Sequence, residues 1–214
     1  MALEIERNFY IFDINEIRKK FKKLKAKKKI NLFKVYSDSL HKDKNKYTTI
    51  RLRDEGDKKT FTIKQKDKKD RYDTEWEIDI SDIEIAKEMI EIIGFKFDSE
   101  SYLEKIREAY YYKKSEIAID YVPGLFSFLQ IESPTEKELL LISKELNLSL
   151  DNEPQNPFKL YGINKKKYFK IEQSFRKIDE MKRLVTKQKT KYNEMIKNQK
   201  KLYKETIHSN PTAK

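Results

Sequence analysis

Apolar and polar residues alternate along eight stretches of the first 132 residues, a pattern typical of β-strands that bury one face. These stretches are residues 3–11, 30–37, 47–53, 60–66, 72–80, 102–112, 115–121 and 127–132. Short polar turns join most of them, such as the turn at Pro123-Gly124. The pattern predicts an α+β protein in which the eight strands form an antiparallel sheet or barrel.

Helices are predicted where apolar residues recur at helical spacing. Three of them cover residues 16–28, 83–93 and 135–146. Asn15 is expected to cap the first of these helices, Ser81 to start the second and Thr135 to open the third, and Gly94 follows the second as a helix-ending glycine. Residues 165–207 contain no Pro or Gly and carry apolar residues at spacings of three, four and seven. They predict one long, weakly amphipathic helix, with a coiled-coil homodimer as one use for it.

Charge is distributed unevenly along the chain. Its 214 residues include 48 Lys and Arg and 36 Asp and Glu, a net charge of +12, and residues 161–214 carry +11 of it. We assign residues 1–162 to one domain and residues 163–214 to a basic helical extension with a frayed end. This charge indicates an anionic partner such as nucleic acid, although a solvated lysine-rich helix explains it equally well. We expect the extension to be separable from the chemistry of the domain.

Composition excludes several kinds of chemistry. The chain has no cysteine, which excludes thiolate metal sites, disulfides and thiol nucleophiles, and its two histidines are too few for a histidine-based metal cage. The four glycines are isolated, so they form neither a P-loop nor a dinucleotide fingerprint. No stretch approaches the roughly 20 apolar residues of a transmembrane helix, and the N-terminus lacks an apolar signal core. We therefore expect a cytoplasmic protein without a membrane partner.

Charged residues recur in pairs two positions apart on the predicted strands, so each pair lies on one strand face. The pairs are Glu4 and Glu6, Arg51 and Arg53, Lys64 and Lys66, Glu75 and Glu77, and Lys105 and Arg107. If the sheet closes, these faces line a lumen that suits a short, highly charged phosphate chain, with divalent cations bridging the phosphates to the carboxylates. Solvated strand faces with cross-strand ion pairs are the alternative, and five pairs together favour the lumen.

The order of these motifs resembles the CYTH domains, or triphosphate tunnel metalloenzymes. The opening residues 4–9 are similar to the family signature Glu-x-Glu-x-Lys, and residues 50–53, 62–64, 75–77 and 105–107 match its next strands in order. Residues 119–132 are similar to the pattern Asp-x-Val-x-Gly-Leu-Gly-x-Phe-x-Glu-Ile-Glu. The resemblance covers residues 2 to about 162 and is strongest to the class IV adenylyl cyclase and thiamine triphosphatase branch.

The resemblance implies a closed eight-stranded antiparallel tunnel that binds triphosphates together with Mg²⁺ or Mn²⁺. The implied metal ligands are Glu4, Glu6, Glu75, Glu77, Asp120, Gln130 and Glu132. The implied phosphate-binding residues are Arg51, Arg53, Lys64, Lys66, Lys105 and Arg107. Of these acidic and basic residues, Glu4, Glu6, Lys64 and Glu77 are also the implied catalytic residues.

The function implied is metal-dependent hydrolysis of a triphosphate: inorganic triphosphate, a nucleoside or thiamine triphosphate, or an RNA 5′ end. A class IV-type adenylate cyclase is one alternative. A polyphosphate-binding module with weak catalysis is another, because Asn8 stands where the family has Lys and Gln130 where it has Glu. Lys34 would compensate for Asn8 if its strand presents it inward.

Two aromatic features have competing explanations. Tyr110, Tyr111 and Tyr112 either pack on both faces of a strand, which is the commoner case, or stack on a nucleobase. Trp76 lies on the apolar face of its strand, where we expect a helix to cover it.

Overall fold

The computed structural model describes residues 5–10, 14–41, 46–67, 74–97, 101–125, 127–148 and 157–209. Within them the strands are β1 Ile5–Tyr10, β2 Lys27–His41, β3 Lys46–Asp54, β4 Lys59–Asp67, β5 Thr74–Asp79, β6 Tyr102–Tyr112, β7 Ser115–Tyr121 and β8 Phe128–Ser133. The helices are α1 Ile14–Lys23, α2 Ile83–Ile92, α3 Glu136–Glu145, α4 Pro157–Tyr161, α5 Lys165–Phe169, α6 Ile178–Lys182 and α7 Lys189–Ser209. None of the helices in these ranges is both long and apolar enough to span a bilayer.

All eight strands belong to one antiparallel sheet with the order β1-β8-β7-β6-β2-β3-β4-β5. The predicted α+β class and the eight-stranded antiparallel sheet are therefore confirmed. The edge strands β1 and β5 each have one hydrogen-bonded neighbour in the described part of the chain. Hydrogen bonds thus do not close the sheet there, and the closed barrel is not confirmed.

Helix α1 differs from its prediction at both ends. It begins at Ile14, so Asn15 lies inside the helix and is not its cap, and it ends at Lys23 instead of residue 28. Lys25 adopts a left-handed conformation with φ of 53°, and the Ala26 N–H donates to the Phe21 carbonyl. This arrangement ends helices, so β2 starts at Lys27, three residues earlier than predicted.

Two other predicted helix ends are confirmed. Thr135 caps α3 by accepting a hydrogen bond from the Glu138 N–H at 3.2 Å. Gly94, with φ of 101°, follows the end of α2. At the start of α2, the cap is Asp82 and not Ser81, because the Asp82 carboxylate accepts from the N–H groups of Glu84 and Ile85.

The single long helix predicted over residues 165–207 is wrong. Three helices, α5, α6 and α7, occupy this segment, and Gln173 forms a parallel β-bridge with Leu103 between the first two. Gln188, with φ of 48°, interrupts the helical backbone before α7. Helical spacing marked residues that are buried against the sheet rather than along a straight seam: Phe175, Ile178, Val185 and Tyr192 lie in the main core. The boundary between residues 162 and 163 stays a prediction, and that core contains residues from both sides of it.

Two hydrophobic cores cover one face of the sheet. The main core joins β6, β7 and β8 to α1, α3 and the C-terminal helices, and its buried side chains include Phe21, Ile106, Ile119, Leu129, Ile142 and Tyr168. A second core packs α2 against β3 through Ile50, Leu52, Ile83 and Ile90. Because α2 lies over β3, the edge strand β5 is left uncovered, and Trp76 is 48% exposed. The expectation that a helix covers Trp76 is therefore wrong.

Candidate active site

The opposite face of the sheet collects the charged residues that the sequence singled out. Directly opposed residues of antiparallel strands point to the same side of a sheet, and the register opposes Glu6 to Glu132, Arg107 to Asp120, and Lys64 to Glu75. By the same register and alternation, this face also carries Asn8, Gln130, Glu116, Lys105, Arg51, Arg53 and Glu77. Glu4 and the side chain of Lys66 lie outside the described residues.

A cavity of about 190 Å³ opens on this face. It is lined by Lys29, Asn31, Phe33, Arg53, Glu55, Arg107, Ala109, Tyr111, Glu116 and Glu132. Only Arg53, Arg107 and Glu132 of these were predicted as site residues. The contribution of β2 was missed because the predicted strand, residues 30–37, carries no pair of charged residues two positions apart, although Lys29, Asn31 and Phe33 alternate as a strand face should.

Asp120 is a buried carboxylate that pairs with Lys105 and Arg107, the two cations that we call the basic wall. Its carboxylate accepts hydrogen bonds from Lys105 Nζ at 3.0 Å and from Arg107 Nε and Nη2, both at 2.8 Å. Burial alone would raise the pKa of Asp120, but the charges and hydrogen bonds of Lys105 and Arg107 lower it below its ordinary value. Burial disfavours the charged form of Lys105 and so lowers its pKa, although the attraction of Asp120 acts to raise it. Asp120, implied as a support for the metal, therefore holds two cations in place here.

Arg107 connects three strands of the site. Besides Asp120, its guanidinium donates to Glu116 Oε1 on β7 at 3.0 Å and to Gln130 Oε1 on β8. The same group lies 5.7 Å from the centre of the Phe33 ring on β2. These contacts fix the guanidinium beside the cavity with few conformations left to it.

Phe33 gathers cations from both sides of β2. The Phe33 ring centre lies 5.6 Å from Arg53 Cζ and 5.4 Å from Lys105 Nζ, and Arg107 lies at a similar distance. An aromatic face attracts cations within about 6 Å, and more strongly when they are desolvated. Phe33 itself is buried. It therefore brings the Arg53 guanidinium close to Lys105 and Arg107, the two cations that share Asp120, which alternation alone did not predict.

The strands from β3 to β5 form a second group of paired charges. Glu75 binds Arg51 at 2.9 Å and Lys64 at 2.6 Å, while Glu77 lies 3.3 Å from Arg53. Burial alone would raise the pKa of Glu77, but a hydrogen bond from Thr62 and the nearby arginines lower it. The two glutamates, implied as metal ligands by the resemblance, thus pair with basic side chains here.

A row of carboxylates lies at the other end of the sheet. Glu132 on β8 is directly opposed to Glu6 on β1 and to Glu116 on β7. Directly opposed residues place their Cβ atoms roughly 5 Å apart, and like charges at that distance repel unless a cation lies between them. Carboxylate oxygens are the ligands that Mg²⁺ and Mn²⁺ prefer, so these donors fit such an ion. As the side chains stand, the described residues contain no group of three acidic or histidine side chains in metal-binding geometry.

The two departures from the family pattern face each other. Asn8 on β1 is directly opposed to Gln130 on β8, and its Nδ2 donates to Glu6 Oε1 at 3.3 Å. A Lys and a Glu at these positions would be opposite charges, so their joint replacement leaves the net charge of the site unchanged. Lys34 does not compensate for Asn8, because it follows Phe33 on β2 and therefore lies on the other face. Lys29 supplies the additional cation at the cavity.

Comparison with known proteins places this geometry in a family. The model of the CYTH domain matches residues 2–154, and the chain therefore belongs to the CYTH domain family, as the sequence motifs indicated. Members of this family in general bind triphosphate substrates and depend on metal ions. Residues 157–209, described here as α4 to α7 and their connections, lie beyond the matched region.

One relative shares much of the domain. The chain is 31% identical over 164 residues to "Putative adenylate cyclase MJ0240" of Methanocaldococcus jannaschii, covering 70% of this chain and 93% of that protein. Among solved structures, the PH1012 protein from Pyrococcus horikoshii OT3 has 24% identity and a TM-score of 0.58 over 75% of this chain and 99% of its own. A putative adenylate cyclase from Vibrio parahaemolyticus has 15% identity and a TM-score of 0.57 over 74% of this chain and 96% of its own. These structural likenesses establish the fold.

Proposed function

We propose that this chain is a Mg²⁺- or Mn²⁺-dependent hydrolase of triphosphates. The observation that carries the proposal is the cavity, whose lining combines Arg53 and Arg107 with Glu116 and Glu132. The cations neutralise a phosphate chain, and the carboxylates require a divalent ion before phosphate can approach them. A cavity lined by a single sign of charge would not both neutralise a phosphate chain and require a divalent ion.

Each group of residues has a role in this reaction. Arg53, Lys105 and Arg107, gathered around Phe33, bind the phosphate oxygens and keep the chain extended along the cavity. Glu6 and Glu132 hold the metal ion, together with Glu4 by the family pattern. A bound Mg²⁺ or Mn²⁺ supplies polarisation of the phosphoryl oxygen and activation of water. Glu75 and Glu77 keep Arg51, Arg53 and Lys64 oriented toward the substrate.

The size of the cavity indicates how a substrate fits. Sites that enclose drug-sized ligands have volumes of roughly 300 Å³ or more, and this cavity has about 190 Å³. It therefore accommodates the phosphate chain and leaves the rest of a larger substrate outside. Inorganic triphosphate, nucleoside and thiamine triphosphates and an RNA 5′ end all meet this requirement.

The test is phosphate release from these four substrates with Mg²⁺ or Mn²⁺. Wild-type protein is expected to release phosphate from at least one of them, and Glu132→Gln to lose that release, since Glu132 lines the cavity and faces Glu6. Glu91→Gln, an exposed carboxylate on α2, is the matched control and should remain active. Equal release by Glu132→Gln and Glu91→Gln would rule out this site as the source of the activity.

Adenylate cyclase activity is a second candidate, favoured by Tyr111. This side chain lines the cavity and is 47% exposed, whereas its neighbour Tyr110 is buried in the core. Packing thus accounts for Tyr110, while Tyr111 leaves an aromatic face for a nucleobase. In a cyclase the ribose 3′ hydroxyl attacks the α-phosphorus of ATP and pyrophosphate leaves. Cyclic AMP and pyrophosphate in equal amounts from ATP would identify this reaction, and free phosphate alone would argue against it.

The third candidate is a module that binds triphosphate without efficient turnover, suggested by Asn8 and Gln130. Because these residues face each other, restoring the family residues requires both changes together, Asn8→Lys with Gln130→Glu. An increase in metal-dependent turnover in the double variant, with triphosphate affinity retained, would show that this pair limits catalysis. An unchanged rate would remove the reason for this candidate.

Nucleic-acid binding and dimerisation through the extension also remain proposals. Exposed lysines of α5 and α7 support contact with phosphates. A coiled-coil dimer has less support, because Tyr192 and Ile196 of α7 are already buried within the chain and do not provide an apolar face for a second helix. Sedimentation of the full chain at increasing concentration tests the dimer.

A further inference from the structure

The turn between β7 and β8 is held by side chains from far along the chain. Its four consecutive carbonyls, from Val122 to Leu125, all accept hydrogen bonds from the C-terminal extension. Gln199 Nε2 donates to the Val122 carbonyl at 3.0 Å and to the Leu125 carbonyl at 2.5 Å. The hydroxyl of Tyr168 donates to the Pro123 carbonyl at 2.6 Å, and that of Tyr192 to the Gly124 carbonyl at 2.9 Å.

The amide of Gln199 both donates hydrogen bonds to the backbone of this turn and accepts one from it. Besides its two donated hydrogen bonds, its Oε1 accepts from the Gly124 N–H at 3.1 Å. Gln199, Tyr168 and Tyr192 are all buried. In such a place water cannot replace a missing partner, so the hydrogen bonds at Pro123 and Gly124 depend on these three side chains, whereas the Val122 carbonyl also accepts from the Leu125 N–H at 3.1 Å.

Packing around Gly124 is equally close. Gly124 has φ of 69°, and a Cβ atom added there would lie 2.6 Å from Met181 Sδ and 2.9 Å from the Tyr192 hydroxyl. The extension therefore touches the turn backbone itself. Asp120 lies four residues before Gly124 and Gln130 six residues after it, so the turn sets how the two strands that carry these residues meet.

A second attachment lies beside the basic wall. The Phe175 N–H donates to Glu104 Oε2 at 2.7 Å, and the Glu104 N–H donates to the Gln173 carbonyl at 2.8 Å. Glu104 is buried and immediately precedes Lys105 on β6. The extension is thus attached on both sides of the Lys105–Asp120 pair, at the start of β6 and at the end of β7.

We infer that the C-terminal extension is a positioning element of the active site, in which Gln199, Tyr168 and Tyr192 hold the β7–β8 turn and so fix Asp120 relative to Gln130 and Glu132. The effect on ligand binding rests on the proposed function, whereas the restraint on the turn does not. The inference reverses the sequence-based expectation that the extension is separable from the chemistry. It also assigns a role to residues outside the matched CYTH region.

The test compares full-length variants under conditions in which all are folded. Gln199→Leu keeps the size of the side chain and removes its three hydrogen bonds. Asn198→Leu changes the adjacent, exposed amide of α7 and is the matched control. Ile90→Ala, in the core beneath α2, controls for loss of stability remote from the extension. Hydrogen exchange of residues 117–132 and the affinity for inorganic triphosphate with Mn²⁺ are measured for each.

A positioning role predicts faster exchange in residues 117–132 and about tenfold weaker triphosphate binding for Gln199→Leu alone, since small displacements of positioned groups have large effects on a site. Tyr168→Phe and Tyr192→Phe, which each free one carbonyl, should give smaller effects in the same direction. Equal exchange and equal affinity in Gln199→Leu and Asn198→Leu would overturn the inference, as would an equal loss of affinity in Ile90→Ala. If the wild type does not bind triphosphate, the proposed function fails, and the exchange measurement alone decides whether the extension restrains the turn.

Discussion

Glu108 anchors strand β6 from the side opposite the active site, and its replacement by Gln gives a quantitative test of the structure. Its side chain is fully buried next to Arg107 in sequence. Arg18 of α1 donates to it from Nε at 2.9 Å and from Nη2 at 2.6 Å, and Lys28 lies 2.9 Å away. The hydroxyl of Tyr110 also donates to it.

The expected effect follows from the pKa of this carboxyl. Burial alone would raise the pKa of Glu108, but the hydrogen bonds from Arg18, Tyr110 and Lys28 lower it from 4.5 to about 2. One pKa unit corresponds to about 1.4 kcal/mol, so the ionised carboxylate stabilises the folded state by about 3 kcal/mol. Because the folded pKa is the lower one, this stabilisation is complete above about pH 5 and is lost as the pH falls toward 2.

The assay is urea unfolding of the wild type and Glu108→Gln at pH 7 and pH 3. At pH 7 the variant should have a free energy of unfolding about 3 kcal/mol lower, and at pH 3 the difference should shrink to about half. Glu91→Gln, the exposed control on α2, should remain within about 0.5 kcal/mol of the wild type. A Glu108→Gln protein as stable as the wild type at pH 7, or one with the same difference at both pH values, would refute this account of the ion cluster.

Four further outcomes test the site. Asp120→Asn should lower the free energy of unfolding by about 3 kcal/mol, since it removes the carboxylate that pairs with Lys105 and one of the two that pair with Arg107. Asp79→Asn, from an exposed pair with Lys58, should cost less than about 1 kcal/mol, and equal losses in urea would contradict the burial of Asp120. Phe33→Leu should weaken triphosphate binding about fivefold by calorimetry, because a cation–π contact contributes about 1 kcal/mol, and unchanged affinity would exclude that role. Removal of metal with EDTA should stop phosphate release and added Mn²⁺ should restore it; release that persists would exclude the metal. RNA binding by the basic extension should weaken steeply between 50 and 200 mM salt in a filter-binding assay, and a salt-independent affinity would rule out contact through phosphates.

Strand patterning was sufficient to predict most of the sheet and the face on which the paired charges lie. Period-two alternation on short strands is a local signal, and the register then opposes Arg107 to Asp120 and Glu6 to Glu132 without further information. Phe33 was not found because its importance arises from three cations that approach from other strands. Lys29 was not found because a run of lysines has the same composition in a helix and in a strand.

In the C-terminal segment, the sequence predicted which residues are buried but not what buries them. Helical spacing correctly marked Phe175, Ile178 and Tyr192 as apolar positions, but spacing carries no information on the partner that buries them. The partner is the core of the sheet and not a second helix. Left-handed Gln188, where the chain bends before α7, gives no sequence signal comparable to a Gly or Pro.

The contact between Gly124 and Gln199 also sets the order in which the protein can form. These residues are 75 positions apart, so at synthesis rates of roughly 5–20 residues per second Gln199 is added to the chain about 4–15 s after Gly124. For most of that interval strands β1 to β8 are complete in sequence, while the carbonyls from Val122 to Leu125 lack the donors that the extension supplies. We therefore expect the sheet to form first and the finished site last, with α7 docking as a late step of folding. Long-range contacts of this kind are slow to form. We therefore expect misfolding to begin from the sheet before α7 has docked.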